Sequence, residues 1–213
     1  MNDSLQENTI KQRILDSAAN LFAEKGFTET TIRELAEAAG FKNSASLYYH
    51  FPSKNAILEN MLEDYITYNN GIFEKKDISD LLKKNPTTDG ILACLQTSFP
   101  QGRAEYYLKV LCVLLQEQFR NPIVRNFMTK QFILRSERNI RTIINGLIEL
   151  GVIRRDNDYD YWTKITSSLF YTFSTRMMLG IGDSEPDFTG MGMAGLLRNT
   201  FDMMLEKCRA FSN

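Results

Sequence analysis

Apolar residues recur at steps of three and four along almost the whole chain, and nowhere do they alternate at a step of two for long. That spacing keeps one face of a helix apolar, so it predicts helices and argues against a sheet. Ile10, Ile14, Leu15, Ala18, Leu21 and Phe22 make the first such face. Lys25-Gly26 closes it with a cation in the last turn and a glycine just beyond. Thr31-Ile32-Arg33-Glu34 is a capping-box pattern, with Thr31 as cap and Glu34 reaching back. The short helix it starts turns Ile32, Leu35, Ala36 and Ala39 inward and ends at Gly40. A turn over 40–43 leads to a third short helix over about 44–49. Pro52 pushes Phe51 out of the helical region. Ser53 then caps a fourth helix, whose apolar face is Ile57, Leu58, Met61, Leu62, Tyr65 and Ile66.

Beyond residue 70 the punctuation is Asn85-Pro86, Asp89-Gly90, Pro100-Gln101-Gly102, Asn121-Pro122, and the loops 151–158 and 180–186. The pieces between read as helices over about 90–99, 103–120, 122–150, 158–179 and 187–209. The longest uninterrupted apolar run, Val110 to Leu115, is six residues. A bilayer span needs about 20, so no membrane partner is expected. The first nine residues are polar and carry two acids, which is not the pattern of a signal peptide.

With 43% hydrophobic and 24% charged residues in 213, the composition is globular and excludes a disordered or fibrous chain. Cys94, Cys112 and Cys208 lack C-x-x-C spacing and sit among apolar neighbours, which predicts buried free thiols and a cytoplasmic setting. His50 is the single histidine, so no metal site with usual ligand spacing can be drawn. No nucleophile elbow or glycine-rich phosphate loop occurs either. These absences argue against an enzyme and against a cofactor. The net charge of −1 gives no hint of nucleic acid, so any such claim must come from a local site.

Residues 31–54 are that site. Two short helices joined by a tight glycine turn describe a helix-turn-helix, which lays its second helix in the major groove. The start of that second helix must be small and polar for the backbone to approach the bases. Asn43-Ser44-Ala45-Ser46 meets that need. Leu47 and Phe51, four apart, anchor the same helix to the core, leaving Tyr48, Tyr49 and His50 to face the duplex. Lys54, at the start of the next helix, suits a phosphate through its charge and the helix amides. Other uses stay open. Tyr48 or Tyr49 can be a core aromatic, His50 can cap its own helix, and Arg33 can pair with Glu29 or Glu37.

Thr31-Ile32-Arg33-Glu34-Leu35-Ala36-Glu37-Ala38-Ala39-Gly40, followed by Leu47-Tyr48-Tyr49-His50-Phe51-Pro52-Ser53-Lys54, resembles the TetR family of bacterial transcriptional regulators. The resemblance covers roughly residues 10–62, about a quarter of the chain. It implies an all-α fold in which an N-terminal three-helix bundle with the helix-turn-helix, residues 1–52, precedes a larger helical ligand-binding and dimerisation domain, residues 53–213. It also implies a DNA-binding set that includes Thr31 and Asn43, with Arg33 on a base or phosphate. Ser44, Ala45, Ser46 and Tyr48 would meet bases, and Tyr49, His50 and Lys54 phosphates. The turn from Gly40 to Leu47 is one residue longer than is usual in that family, and the base register of Asn43 to Ser46 depends on that extra residue.

Charge complicates the picture, because residues 1–70 hold six Lys or Arg against ten Asp or Glu. The acids must lie off the binding face; Asp16, Glu24, Glu59, Glu63 and Asp64 are placed to do so. The larger half carries no motif. Its aromatics suggest a pocket for an apolar or amphipathic effector, with Phe99, Tyr107, Phe119, Phe127, Trp162, Phe170 and Phe173 as candidate lining. Core filling is the alternative use of each. Residues 103–141 hold eight Lys or Arg against three acids, a solvated face unless Arg135 or Arg138 turns inward to an anionic ligand. Ile165 and Leu169, with Leu197, Phe201, Met204 and Leu205, form apolar rows on the last two helices and are the expected homodimer face. The resulting expectation is a homodimeric repressor of operator DNA, released by a small effector. Three alternatives remain: a ligand-independent nucleoid or division factor, a helical enzyme, and an adaptor that keeps the N-terminal fold.

Overall fold

In the computed structural model the described residues are 2–70, 75–96, 103–155, 158–178 and 193–209. They form helices throughout, apart from one isolated antiparallel bridge between Ile153 and Arg209. In chain order these are α1 (Asn2–Lys25), α2 (Ile32–Ala38), α3 (Ser44–His50), α4 (Lys54–Asn70), α5 (Lys75–Lys84) and α6 (Thr88–Gln96). Then come α7 (Ala104–Glu117), α8 (Pro122–Phe127), a π-helical segment (Met128–Ile133), α9 (Leu134–Glu149), α10 (Tyr159–Met178) and α11 (Met193–Cys208). The chain divides into two compact units, residues 1–68 with 101–128 and residues 69–100 with 129–213. This packing division differs from the functional division expected at residue 52, because α4, α7 and α8 pack with the N-terminal helices.

In the first unit, α1 lies along α7 and also holds α2. Its inward face is the one the spacing predicts: Ile14, Leu15, Ala18 and Phe22 are buried, and Phe22 meets Phe27 edge-on at 5.1 Å. From α4, Ile57, Leu58, Met61 and Leu62 complete this core. Asn121 caps α8, its Oδ1 accepting from Ile123 N–H at 2.9 Å, and Pro122 stands in the first turn, where no donor is needed.

The second unit is built from α5, α6, α9, α10 and α11 around Leu82, Ile91, Cys94, Ile143, Trp162 and Phe201. The thiols of Cys94 and Cys208 are buried here, and burial raises Cys94 to about 11. Helices α6 and α11 are tied by the Thr88–Asp202 hydrogen bond and by Arg198 to Asp89 at 2.7 Å.

Two elements depart from the expected order. Helix α5 occupies a stretch for which no helix was expected. The continuous helix expected over 122–150 is interrupted by the π-helical segment, a wider turn that resets which side chains face inward. At its end Ile133 is exposed, and in α9 Leu134 is exposed while Ile140, Ile143, Ile144 and Leu147 are buried. The expected loop over 180–186 and Phe99 lie outside the described residues, as do the side chains of Phe170 and Phe173.

The expected subunit face needs correction. Phe201 and Met204 belong to the second unit's core, with Phe201 fully buried, and Leu197 is buried as well. Only Ile165, Leu169 and Leu205 of that set are half-buried, Leu205 resting on the same core. A period of three to four marks an inward face without saying whether core or partner covers it. Phe201→Ala should therefore lower unfolding free energy by about 3–5 kcal/mol, as cavity formation does. Denaturant titration at two protein concentrations checks this. A loss that disappears at high concentration would return Phe201 to the subunit face.

Candidate nucleic-acid interface

Helices α2 and α3 have seven residues each. At that length a helix does not persist alone, so caps and anchors hold them. Thr31 caps α2 with extended backbone and its hydroxyl accepts from Glu34 N–H at 3.2 Å. Glu34 returns a carboxylate oxygen to Thr31 N–H at 2.8 Å, completing the expected capping box. At the other end, Gly40 adopts φ +76, where a side chain would be strained. Gly40 N–H then bonds Glu37 O at 2.9 Å and Phe41 N–H bonds Ala36 O at 2.8 Å, which satisfies the last carbonyls of α2 and turns the chain.

Helix α3 opens on Asn43, whose Oδ1 accepts from Ser46 N–H at 3.1 Å and from Ser46 Oγ–H at 3.2 Å. Asn43 and Ser46 are thus partly committed to each other, and Ser44 and Ala45 lie beside them, Ala45 exposed. Leu47 is fully buried and Phe51 nearly so, as the anchor spacing predicts. Tyr48 is 49% exposed and Tyr49 85%, so neither is a core residue. His50 is half-buried, stacked near Phe41 at 5.8 Å and edge-on to Tyr49 at 5.2 Å. Its Nδ1 is buried without a partner among the described residues. Arg13 of α1 lies over the far partner of this stack, 5.5 Å from the Phe41 ring. Arg33 is exposed and forms no ion pair among the described residues.

Lys54 behaves otherwise than expected. Its ammonium donates to the carbonyls of Phe27 at 2.7 Å, Thr28 at 3.2 Å and Thr30 at 2.8 Å, and lies 4.5 Å from the Phe27 ring centre. An ammonium has three donors, and three carbonyls of the protein lie within their reach. The preference for an outside anion inferred from a cation at a helix start is met by carbonyls of the α1–α2 loop instead. Desolvation lowers the Lys54 pKa, with Glu117 and Glu29 opposing it.

Some of the acids are paired within the protein as well. Arg103, at the start of α7, bonds Asp16 of α1 and Asp64 of α4, the latter at 3.2 Å, while stacking over Tyr106 at 3.9 Å. Glu34 pairs with Lys25 at 2.6 Å. Helix α3 has no acid in its first turn. Arg103 and Glu117 have structural roles that spacing did not reveal, because their partners stand far away in sequence.

Of the effector candidates, Tyr107 and Phe127 are buried in the first unit and share Tyr65 as a ring partner, at 5.8 and 6.1 Å. Trp162 is buried in the second unit. Phe119 is 77% exposed in the turn after α7, where Arg125 holds its carbonyl at 2.7 Å, so it lines no enclosed site. Arg138 is exposed, not turned inward. No helix among the described residues is long and apolar enough to cross a membrane.

Residues 14–61 match the family described as bacterial regulatory proteins, tetR family. The matched stretch holds α2 and α3 and resembles the N-terminal part of that family. The HTH-type transcriptional repressor KstR2 of Rhodococcus jostii is 45% identical over 56 residues, 26% of this chain and 27% of that protein. The negative transcriptional regulator IcaR of the icaADBC biofilm operon in Staphylococcus aureus is 43% identical over 63 residues, 30% of this chain and 33% of that protein. The matches thus span about a third or less of these curated relatives. A transcriptional regulator from Rhodococcus sp. Rha1 has the same fold, with a TM-score of 0.67, 13% identity, and coverage of 95% of this chain and 99% of that one.

Two outcomes follow from the site's electrostatics. Lys54→Met should cost about 1.5–3 kcal/mol of stability, the range for hydrogen bonds from a charged group. The salt slope of DNA binding should change by less than about one unit, the change expected for a lost phosphate contact. A full unit of slope with stability unchanged would return Lys54 to the phosphates. The Lys25 hydrogen bond, followed by the bonds with Thr31, holds the Glu34 carboxyl at about 2, below the ordinary 4.5. A depressed carboxyl contributes stability fully above about 4.5 and loses it as pH falls toward about 2. Denaturant unfolding across that window should show native and Glu34→Gln proteins converging in acid. A gap independent of pH would exclude this linkage.

Proposed function

We propose that the protein is a sequence-specific DNA-binding transcriptional regulator that acts as a homodimer, represses from an operator, and is released by a small effector. The observation that carries this reading is the outward face of α3. A helix held from behind by Leu47 and Phe51 presents Ala45, Tyr48 and Tyr49 to solvent, with no acid in its first turn. Such a face suits base edges and the thymine methyl group. In this reading Ser44, Ala45, Ser46 and Tyr48 read bases, and Arg33, Tyr49 and His50 hold the backbone. Thr31 and Asn43 act through their caps.

The printed descriptions of KstR2 as a repressor and of IcaR as a negative regulator favour repression. Ile165 and Leu169 on α10, with exposed Tyr161 nearby and exposed Met203 on α11, offer an apolar subunit face that the core does not use. The rings of Tyr65, Tyr107 and Phe127 favour an apolar or aromatic effector. Trp162 Nε1 and Thr166 Oγ1 are buried without partners among the described residues, which favours an effector or water that brings an acceptor. Release then requires the effector to prefer the conformation whose half-site spacing misfits DNA.

Selection of bound fragments from genomic DNA, followed by footprinting and sedimentation, tests the reading. The expected result is a dimer on a roughly palindromic site, with half-site centres about 34 Å apart or a multiple of that. A chain that stays monomeric at micromolar concentration, on and off DNA, would sink it.

A further inference from the structure

Burying a charged group is costly unless it is well bonded. Glu117, at the last turn of α7, is only 5% exposed. Its Oε1 accepts from Phe27 N–H at 3.0 Å, a bond across ninety positions of sequence. Phe27 follows Gly26, the residue at φ +87 that ends α1, and a Cβ on Gly26 would stand 3.4 Å from the same oxygen. The carboxylate thus seats against the point where the chain leaves α1 for α2.

The loop it seats against is also held by Lys54, through the carbonyls of Phe27, Thr28 and Thr30. Thr30 closes the loop from within, its hydroxyl donating to Gly26 O at 2.8 Å. Glu117 takes the loop's leading donor and Lys54 its acceptors, so opposite charges from α7 and α4 grip one short segment. The next residue, Thr31, is the cap of α2, and α2 carries the turn into α3. Between this grip and α3 stand only α2 and the turn over 39–43.

We infer that Glu117 is a positioning residue for DNA binding, holding the α1–α2 loop from α7 and so setting how α2 and α3 are presented to the operator. The inference rests on the regulator reading above. Reach sets the bond to the Phe27 amide, while the charge acts separately on the Lys54 ammonium. Glu117→Gln keeps an oxygen at the same reach, whereas Glu117→Asp keeps the charge and is one methylene too short.

The test uses the full-length chain and its Glu117→Ala, Glu117→Asp and Glu117→Gln variants. Each is titrated onto a genomic fragment recovered by the native chain and onto random duplex, with Phe27 amide exchange followed by NMR. For Ala and Asp, affinity for the recovered fragment should fall about tenfold or more, the scale of one lost hydrogen bond to a charged group. Random-duplex affinity should change far less, and the Phe27 amide should lose protection. Gln should stay close to native in both. Native affinity in Glu117→Asp, or equal losses in Asp and Gln, would overturn the inference. Should Glu117→Ala fail to fold, the Asp and Gln pair decides. A native chain that binds no DNA would overturn the regulator reading and this inference together.

Discussion

Helices of seven residues cannot hold their own shape in water, because nucleation costs more than so few hydrogen bonds return. The structure around α2 and α3 follows from that constraint. Their ends are closed by Thr31 with Glu34, by Gly40, and by Asn43 with Ser46. Their backs are closed by Leu35, Ala36, Leu47 and Phe51. With stability supplied from the ends and from behind, the outward side of α3 has no packing duty and is free to carry groups chosen for a ligand.

The same economy governs charge. The first seventy residues carry more acid than base, which looks wrong for a surface meant to approach phosphates. Several of these charges are paired within the protein: Arg103 takes Asp16 and Asp64, and Lys25 takes Glu34. Lys54 is consumed as well, by carbonyls. Few cations are left for phosphates, so neutral donors and a second subunit carry more of the proposed DNA binding, and its salt dependence is correspondingly shallow.

Arg103 and Glu117 stand at opposite ends of α7, and both reach out to the N-terminal helices. Through them α7 belongs to the same compact unit as α1 to α4, although 33 residues of other structure separate α7 from α4. A boundary drawn from the helix-turn-helix alone stops at residue 52. Packing groups the helices differently, since α1 packs against both α2 and α7.

Local order was legible in the sequence because local rules decide it. The capping box at Thr31, the turn at Gly40, the stop at Pro52, the break at Asn121-Pro122 and the anchors Leu47 and Phe51 all depend on neighbours within about a turn. Helix-turn-helix chemistry is of that kind, and its candidate face could be read before any packing was known. Long-range pairing was not legible. Lys54 had the charge for a phosphate and the reach for the α1–α2 loop, and only folding brings three carbonyls within that reach. Glu117 looked like one acid among many until α7 met the end of α1. Leu197, Phe201 and Met204 had the period of a buried face, but period does not name the neighbour that buries it. The sequence by itself determined where the helices cap, turn and turn their apolar faces. The tertiary structure decided which charge meets which partner, because those distances exist only once the helices are packed.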